Sequence, residues 1–168
     1  LVLLTLSIHM YGSRNDREGT EIGMYYMAIA KNQDIELAVR FMEQAGMEVA
    51  EEEVESGKFI LLKDEDHLIK GIIGLESCGE YGLLRSFLFL PEAHAQVPAL
   101  FEAMLAIARE HGVEQVFLVS NKQQARAFFE ALQFMPCQCE QLPGKVKDSP
   151  VVEKVCTIKD VYFMSRHL

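Results

Sequence analysis

Between Lys58 and Leu90 three strand-like runs follow one another with no helix between them. "KFILLK" (58–63) and "HLIKGIIGL" (67–75) flank the acidic turn "DED", the pattern of a hairpin. "SCGEYG" (77–82) then turns the chain into "LLRSFLFL" (83–90), which Pro91 stops. Strands joined this closely pair antiparallel, because a parallel return needs a crossover of a dozen or more residues. Such a crossover comes next. Pro98 suits the first turn of a helix over 98–111, which Gly112 ends. Its apolar positions Leu100, Phe101, Met104, Leu105, Ile107 and Ala108 leave little polar face, so it is read as largely buried. "VEQVFLV" (113–119) is nearly continuous apolar sequence, as a central parallel strand requires. An antiparallel meander leading into one right-handed β–α–β crossover is an α+β sheet of mixed, mostly antiparallel direction with helices on both faces. The same three strands disfavour a doubly wound, flavodoxin-like sheet.

The flanking segments extend this order. "MYYMAIA" (24–30) reads as an opening strand. Asp34 can cap a helix to about residue 46, with Leu37, Ala38, Phe41, Met42 and Ala45 on one face. "EVAEEEVES" (48–56) reads as a solvated short helix or loop. Ser120 and Gln123 form a capping-box pattern opening a helix to about residue 132. "MPCQCEQLPGKVKDSP" (135–150) reads as a loop. "VVEKVCTI" and "DVYFMS" read as two closing strands turning around Lys159.

At 168 residues the chain suits one domain with a substantial core, expected over 24–168, with 1–23 as an N-terminal extension. "LVLLTLSI" at its start lacks a basic flank and a cleavage site, which opposes a signal peptide. An edge strand or short helix packed on the domain is an equally good reading of that extension. A net charge of -9 opposes nucleic acid or an anionic membrane surface as partner. No run reaches the roughly 20 apolar residues of a membrane span. Cys78, Cys137, Cys139 and Cys156 match no disulfide framework, and "CQC" lacks the second half of a metal site. They read as reduced thiols of a cytoplasmic protein.

Four local sequences then carry a resemblance: "LRSFLFLPE" (84–92), "LFEAMLAIAREHGVEQVFLV" (100–119), "ARAFFEALQF" (125–134) and "DVYFMSRHL" (160–168). In this order and spacing they resemble the GNAT superfamily of acyl-CoA-dependent N-acetyltransferases, over roughly Met24 to Leu168. The resemblance implies that the strand ending at Pro91 splays from its parallel neighbour. The pantetheine arm of acetyl-CoA or another acyl-CoA would then pair with backbone groups of Phe87, Leu88 and Phe89. The diphosphate would sit on amides of the following loop, His94, Ala95, Gln96 and Val97, at a helix N-terminus. An amine of a small molecule or peptide would attack the thioester, with a base to deprotonate it and an acid to protonate the thiolate.

The chain departs from that pattern in two places. The family loop is glycine-rich with an Arg, whereas His94 stands where Arg is common and Ala95 where the first Gly falls. About two residues are also missing by alignment, and Pro98 removes a further N–H. In "ARAFFEALQF" the aromatic that is often a Tyr general acid is Phe129, and Gln133 replaces the usual Gly. Weak base candidates are Glu76, Glu80 and Tyr81, each read first as a solvent-facing turn residue. His94 could meet a phosphate or act as a base, and reads first as a surface-loop histidine. Asn121 could contact the pantetheine or the substrate, or equally cap a helix beside Ser120. Two functions follow as expectations: an N-acetyltransferase, or a catalytically impaired binding or sensing module, which could be a homodimer.

Overall fold

A computed structural model describes residues 24–47, 49, 54 and 58–168. The extension at 1–23 and most of the acidic stretch at 48–56 lie outside the described residues. Seven strands form one sheet: β1 (Tyr25–Ile29), β2 (Lys58–Asp64), β3 (Ile69–Cys78), β4 (Tyr81–Phe89), β5 (Gln115–Ser120), β6 (Met135–Cys137) and β7 (Tyr162–His167). Their spatial order is β1-β2-β3-β4-β5-β7-β6. Only β4 and β5 run parallel; every other neighbouring pair is antiparallel. The helices are α1 (Ile35–Gln44), α2 (Val97–Glu110), α3 (Arg126–Ala131), α4 (Gly144–Lys147) and α5 (Pro150–Val155).

The sheet is buried on both faces, and β2 shows the alternation that achieves it. Ile60 and Leu62 join the larger core, with Leu100, Phe101 and Met104 of α2 and Phe129 of α3. Phe59 and Leu61 join a second core beneath α1, with Ile35, Ala38, Val39 and Met42. Glycines end both long helices. At Gly46 and Gly112 φ is +76° and +75°, and the next amide reaches back five residues, from Met47 to Met42 O and from Val113 to Ala108 O.

Several expectations change. α1 turns Leu37 outward, and Asp34 does not cap it forward; its carboxylate accepts the Lys31 amide and pairs with Lys63 Nζ at 2.8 Å. "VVEKVCTI" is not a strand. Pro150 starts α5, and Val152 and Val155, three apart, bury one face. The expected loop at 135–150 contains β6 and α4. Proline is tolerated within β6 because that strand is an edge. The four thiols are not all reduced: Cys139 and Cys156 form a disulfide with Cα atoms 6.2 Å apart, leaving Cys78 and Cys137 free. Burial pushes the Cys78 thiol up to about 11, with the Glu76 carboxylate adding to the shift. Among the described residues no helix is long and apolar enough to cross a membrane.

Candidate functional site

The parallel pairing of β4 with β5 covers only Tyr81↔Gln115, Gly82↔Val116 and Leu83↔Phe117. Beyond Leu83 the two strands part. From Leu118 to Ser120, β5 keeps its partner β7 on the other side. β4 keeps β3, but the register steps from Gly74↔Arg85 to Ile72↔Leu88, so two residues of β3 face three of β4. This is a β-bulge, and the extra residue bends the strand where it leaves β5. Ser86 sits in the bulge at φ +52°, a left-handed conformation rare for a residue with a side chain. Its hydroxyl is fully buried with no hydrogen-bond partner among the described residues.

Past the bulge, the backbone direction can be read from one bond. The Leu90 amide donates to Lys70 O of the β3 segment at 2.8 Å. By alternation Leu88 also turns its N–H and C=O toward β3, while Phe89 and Phe87 turn theirs to the open side. Of the three residues expected to line a pantetheine arm, two therefore offer backbone groups and Leu88 offers none. The Phe87 and Phe89 rings lie 5.4 Å apart, Phe128 of α3 stacks parallel to Phe87 at 6.5 Å, and Phe101 of α2 meets Phe87 edge-on at 4.7 Å. The result is an unpaired strand edge backed by aromatic rings.

The segment after β4 is not a loop. Pro91–Gln96 is a 3-10 helix that runs directly into α2. The Ala93 amide donates to Leu90 O and the Val97 amide to His94 O. Between them the i→i+3 bonding of a 3-10 helix occupies the amides expected to hold a diphosphate. The first turn carries Glu92, whose carboxylate pairs with Lys70 Nζ at 3.3 Å. Asp64 holds the same ammonium at 3.3 Å. Burial alone would lower the pKa of Lys70, but these two carboxylates outweigh it and raise it, so the cation stays charged and committed. His94 is exposed, with its ring 6.0 Å from that of Phe89. Ala95 is exposed, Gln96 is half-buried and Val97 is packed in the core.

Phe129 lies in the core at 1% exposure, edge-on to Phe101 and Phe134. The aromatic that reaches the open edge is Phe128, one residue earlier. Its half-buried state is the only signal, and that is invisible in sequence. Asn121 is exposed just past β5. The turn is held instead by Ser120, whose hydroxyl accepts the Lys122 amide at 3.1 Å, and by Tyr162, which donates to Lys122 O at 2.9 Å. Ser120 thus makes no capping box with Gln123.

Glu80 and Tyr81 sit at the paired end of β4, roughly 15–20 Å of strand from Ser86. Glu80 binds Lys145 Nζ at 2.6 Å, and that bond holds its carboxyl below the usual range. Tyr81 packs edge-on to Phe117. Glu76 lies nearer the opening, pairing with Arg85 at 3.2 Å one residue before the bulge. It is the one expected base candidate that the fold brings toward the divergence. Among the described residues no cluster of His, Cys, Asp and Glu could hold a metal ion.

No family model matches the sequence, and no curated protein matches it. Solved structures do. A GNAT-family acetyltransferase of Staphylococcus aureus superposes with a TM-score of 0.67 at 16% identity, over 86% of this chain and 99% of that one. N-acetylglutamate synthase of Neisseria gonorrhoeae, complexed with coenzyme A and N-acetyl-glutamate, gives 0.68 at 17% identity. That match covers 86% of this chain but only 35% of the synthase. A Mycobacterium tuberculosis protein in complex with CoA and NLQ gives 0.68 at 16% identity, over 85% and 99% of the two chains. At these identities the likeness is one of backbone architecture. The chain has the fold of the GNAT-type N-acetyltransferases.

Proposed function

We propose that this chain is an N-acyltransferase that uses an acyl-CoA thioester, acetyl-CoA first, to acylate the amine of a small molecule or peptide. The observation that carries this reading is the open edge of β4, where pairing to β5 stops at Leu83 and the backbone groups of Phe89 and Phe87 face the gap. A pantetheine arm carries amides that can complete such an edge as an extra strand would. Structural relatives bound to coenzyme A support this donor, and amino acids are the first acceptors to test, since one relative, N-acetylglutamate synthase, is solved in one structure with N-acetyl-glutamate and in another with L-arginine. In the cleft the acceptor amine would attack the thioester carbonyl, and Glu76 is the carboxylate best placed to take up its proton. Phe129 offers no proton to the leaving thiolate, so water is the proposed donor of that proton. The domain carrying this activity is proposed to span residues 24–168.

A second reading has its own support: the helical segment at 91–96 and the buried Phe129 both weaken the site. On that reading the fold is a binding or sensing module. Thermal unfolding with acetyl-CoA separates the two. A ligand at 100 times its Kd stabilises by about 2.7 kcal/mol, so the acyltransferase should show a saturable rise in melting temperature. No shift at millimolar acetyl-CoA overturns the enzyme reading.

A further inference from the structure

The two halves of an acyl-CoA molecule meet very different surfaces here. We infer that the site recognises its thioester donor through the acyl-pantetheine portion and gains little from the diphosphate; this rests on the acyltransferase reading above. Diphosphate binding at a strand–helix junction needs free amides that converge on the anion and a helix dipole at its positive end. In this chain the junction supplies neither in usable form. The Ala93 and Val97 amides are spent on Leu90 O and His94 O, and the residues between lie in the same 3-10 helix. Pro91 and Pro98 have no amide hydrogen to give. The helical run now begins at Pro91, so its positive end lies beside Glu92, an anion supplied by the chain itself. The nearby cation, Lys70, is already shared between Glu92 and Asp64. An incoming diphosphate would have to compete with these carboxylates for it.

The pantetheine half lacks none of its parts. The Phe89 edge is open, and the half-buried rings of Phe89 and Phe128 flank it, with the fully buried Phe87 packed behind them. The donor class that suits both halves is an acyl thioester of pantetheine, with or without a nucleotide attached.

Isothermal titration of the full chain with coenzyme A and with pantetheine tests this. The expected result is affinities within about threefold of each other, nearly unchanged between low and half-molar salt, where a phosphate contact would be screened. Coenzyme A binding more than about thirtyfold tighter, with strong salt dependence, would overturn the inference while leaving the acyltransferase reading intact. If neither compound binds at millimolar concentration, both fall. Glu92→Gln gives an independent check, because the side chain is half exposed and the fold should tolerate the change. It should tighten coenzyme A severalfold and leave pantetheine unaltered. An equal effect on both, or none, would mean that Glu92 does not face the diphosphate.

Discussion

The two ends of β4 do opposite jobs with adjacent residues. At Tyr81–Leu83 the strand is gripped on both sides, by β3 and β5, and packing is tight enough that a Cβ on Gly82 would lie 2.7 Å from Leu75 Cδ1. At Arg85–Phe89 one side is open, the register slips, and Gly71 opposite Phe89 has room for a Cβ at 3.4 Å from its neighbours. The difference teaches that a cleft in a sheet needs no missing residues. One bulge and one lost hydrogen-bonded partner suffice, provided the strand is anchored firmly before them.

The comparison can be broken most forcefully from behind the open end. Phe129→Ala should cost about 3–5 kcal/mol in urea unfolding, since it empties a site ringed by Phe101, Phe128 and Phe134. Phe129→Tyr should cost about 1–3 kcal/mol through a buried hydroxyl and should not raise turnover. A faster Tyr variant would place this side chain in the cleft after all. Next comes the glycine pair. Gly82→Ala at the gripped end should cost about 1–3 kcal/mol by overpacking, whereas Gly71→Ala at the open end should stay within about 0.5 kcal/mol. Equal effects would erase the distinction between the ends. Smaller still, Ser86→Gly should stabilise by about 0.5–1 kcal/mol, because it relieves positive φ and removes an unpartnered hydroxyl. A loss of stability there would mean that the Ser86 hydroxyl is bonded in solution. The smallest effect belongs to Glu80, at the surface. Its pKa is lowered in the fold by Lys145, so its contribution is present above the ordinary 4.5 and fades as pH falls through the lowered value. Melting curves of Glu80→Gln and the parent should differ slightly at neutral pH and converge in acid.

Much of the sheet was legible because β2 to β5 and α2 are long and their apolar patterns unambiguous. Gln133 was also legible as a glycine substitute: it adopts φ +65°, and the Phe134 amide closes the helix end onto Phe129 O. The misreadings have specific causes. "VVEKVCTI" is rich in β-branched residues, and a short apolar run cannot be assigned by periodicity alone; Ser149-Pro150 was the overlooked helix start. The resemblance implied a loop between Pro91 and the helix at Pro98, where a 3-10 helix over Pro91–Gln96 stands instead. Without glycine, and with Ala93 and Ala95 favouring helix, nothing holds the amides apart and the segment coils. The Glu76–Arg85 pair arises from strand register and the Phe128 ring joins Phe87 through helix packing, neither of which a local pattern announces.

The Cys139–Cys156 bond closes a ring of chain that contains both α4 and α5, at a sequence separation of 17. A protease that cut once anywhere inside that ring would not divide the molecule. The two pieces would migrate as one species on a denaturing gel until a reductant was added, and β7, which lies beyond the ring, would stay tethered beside β5 despite the break.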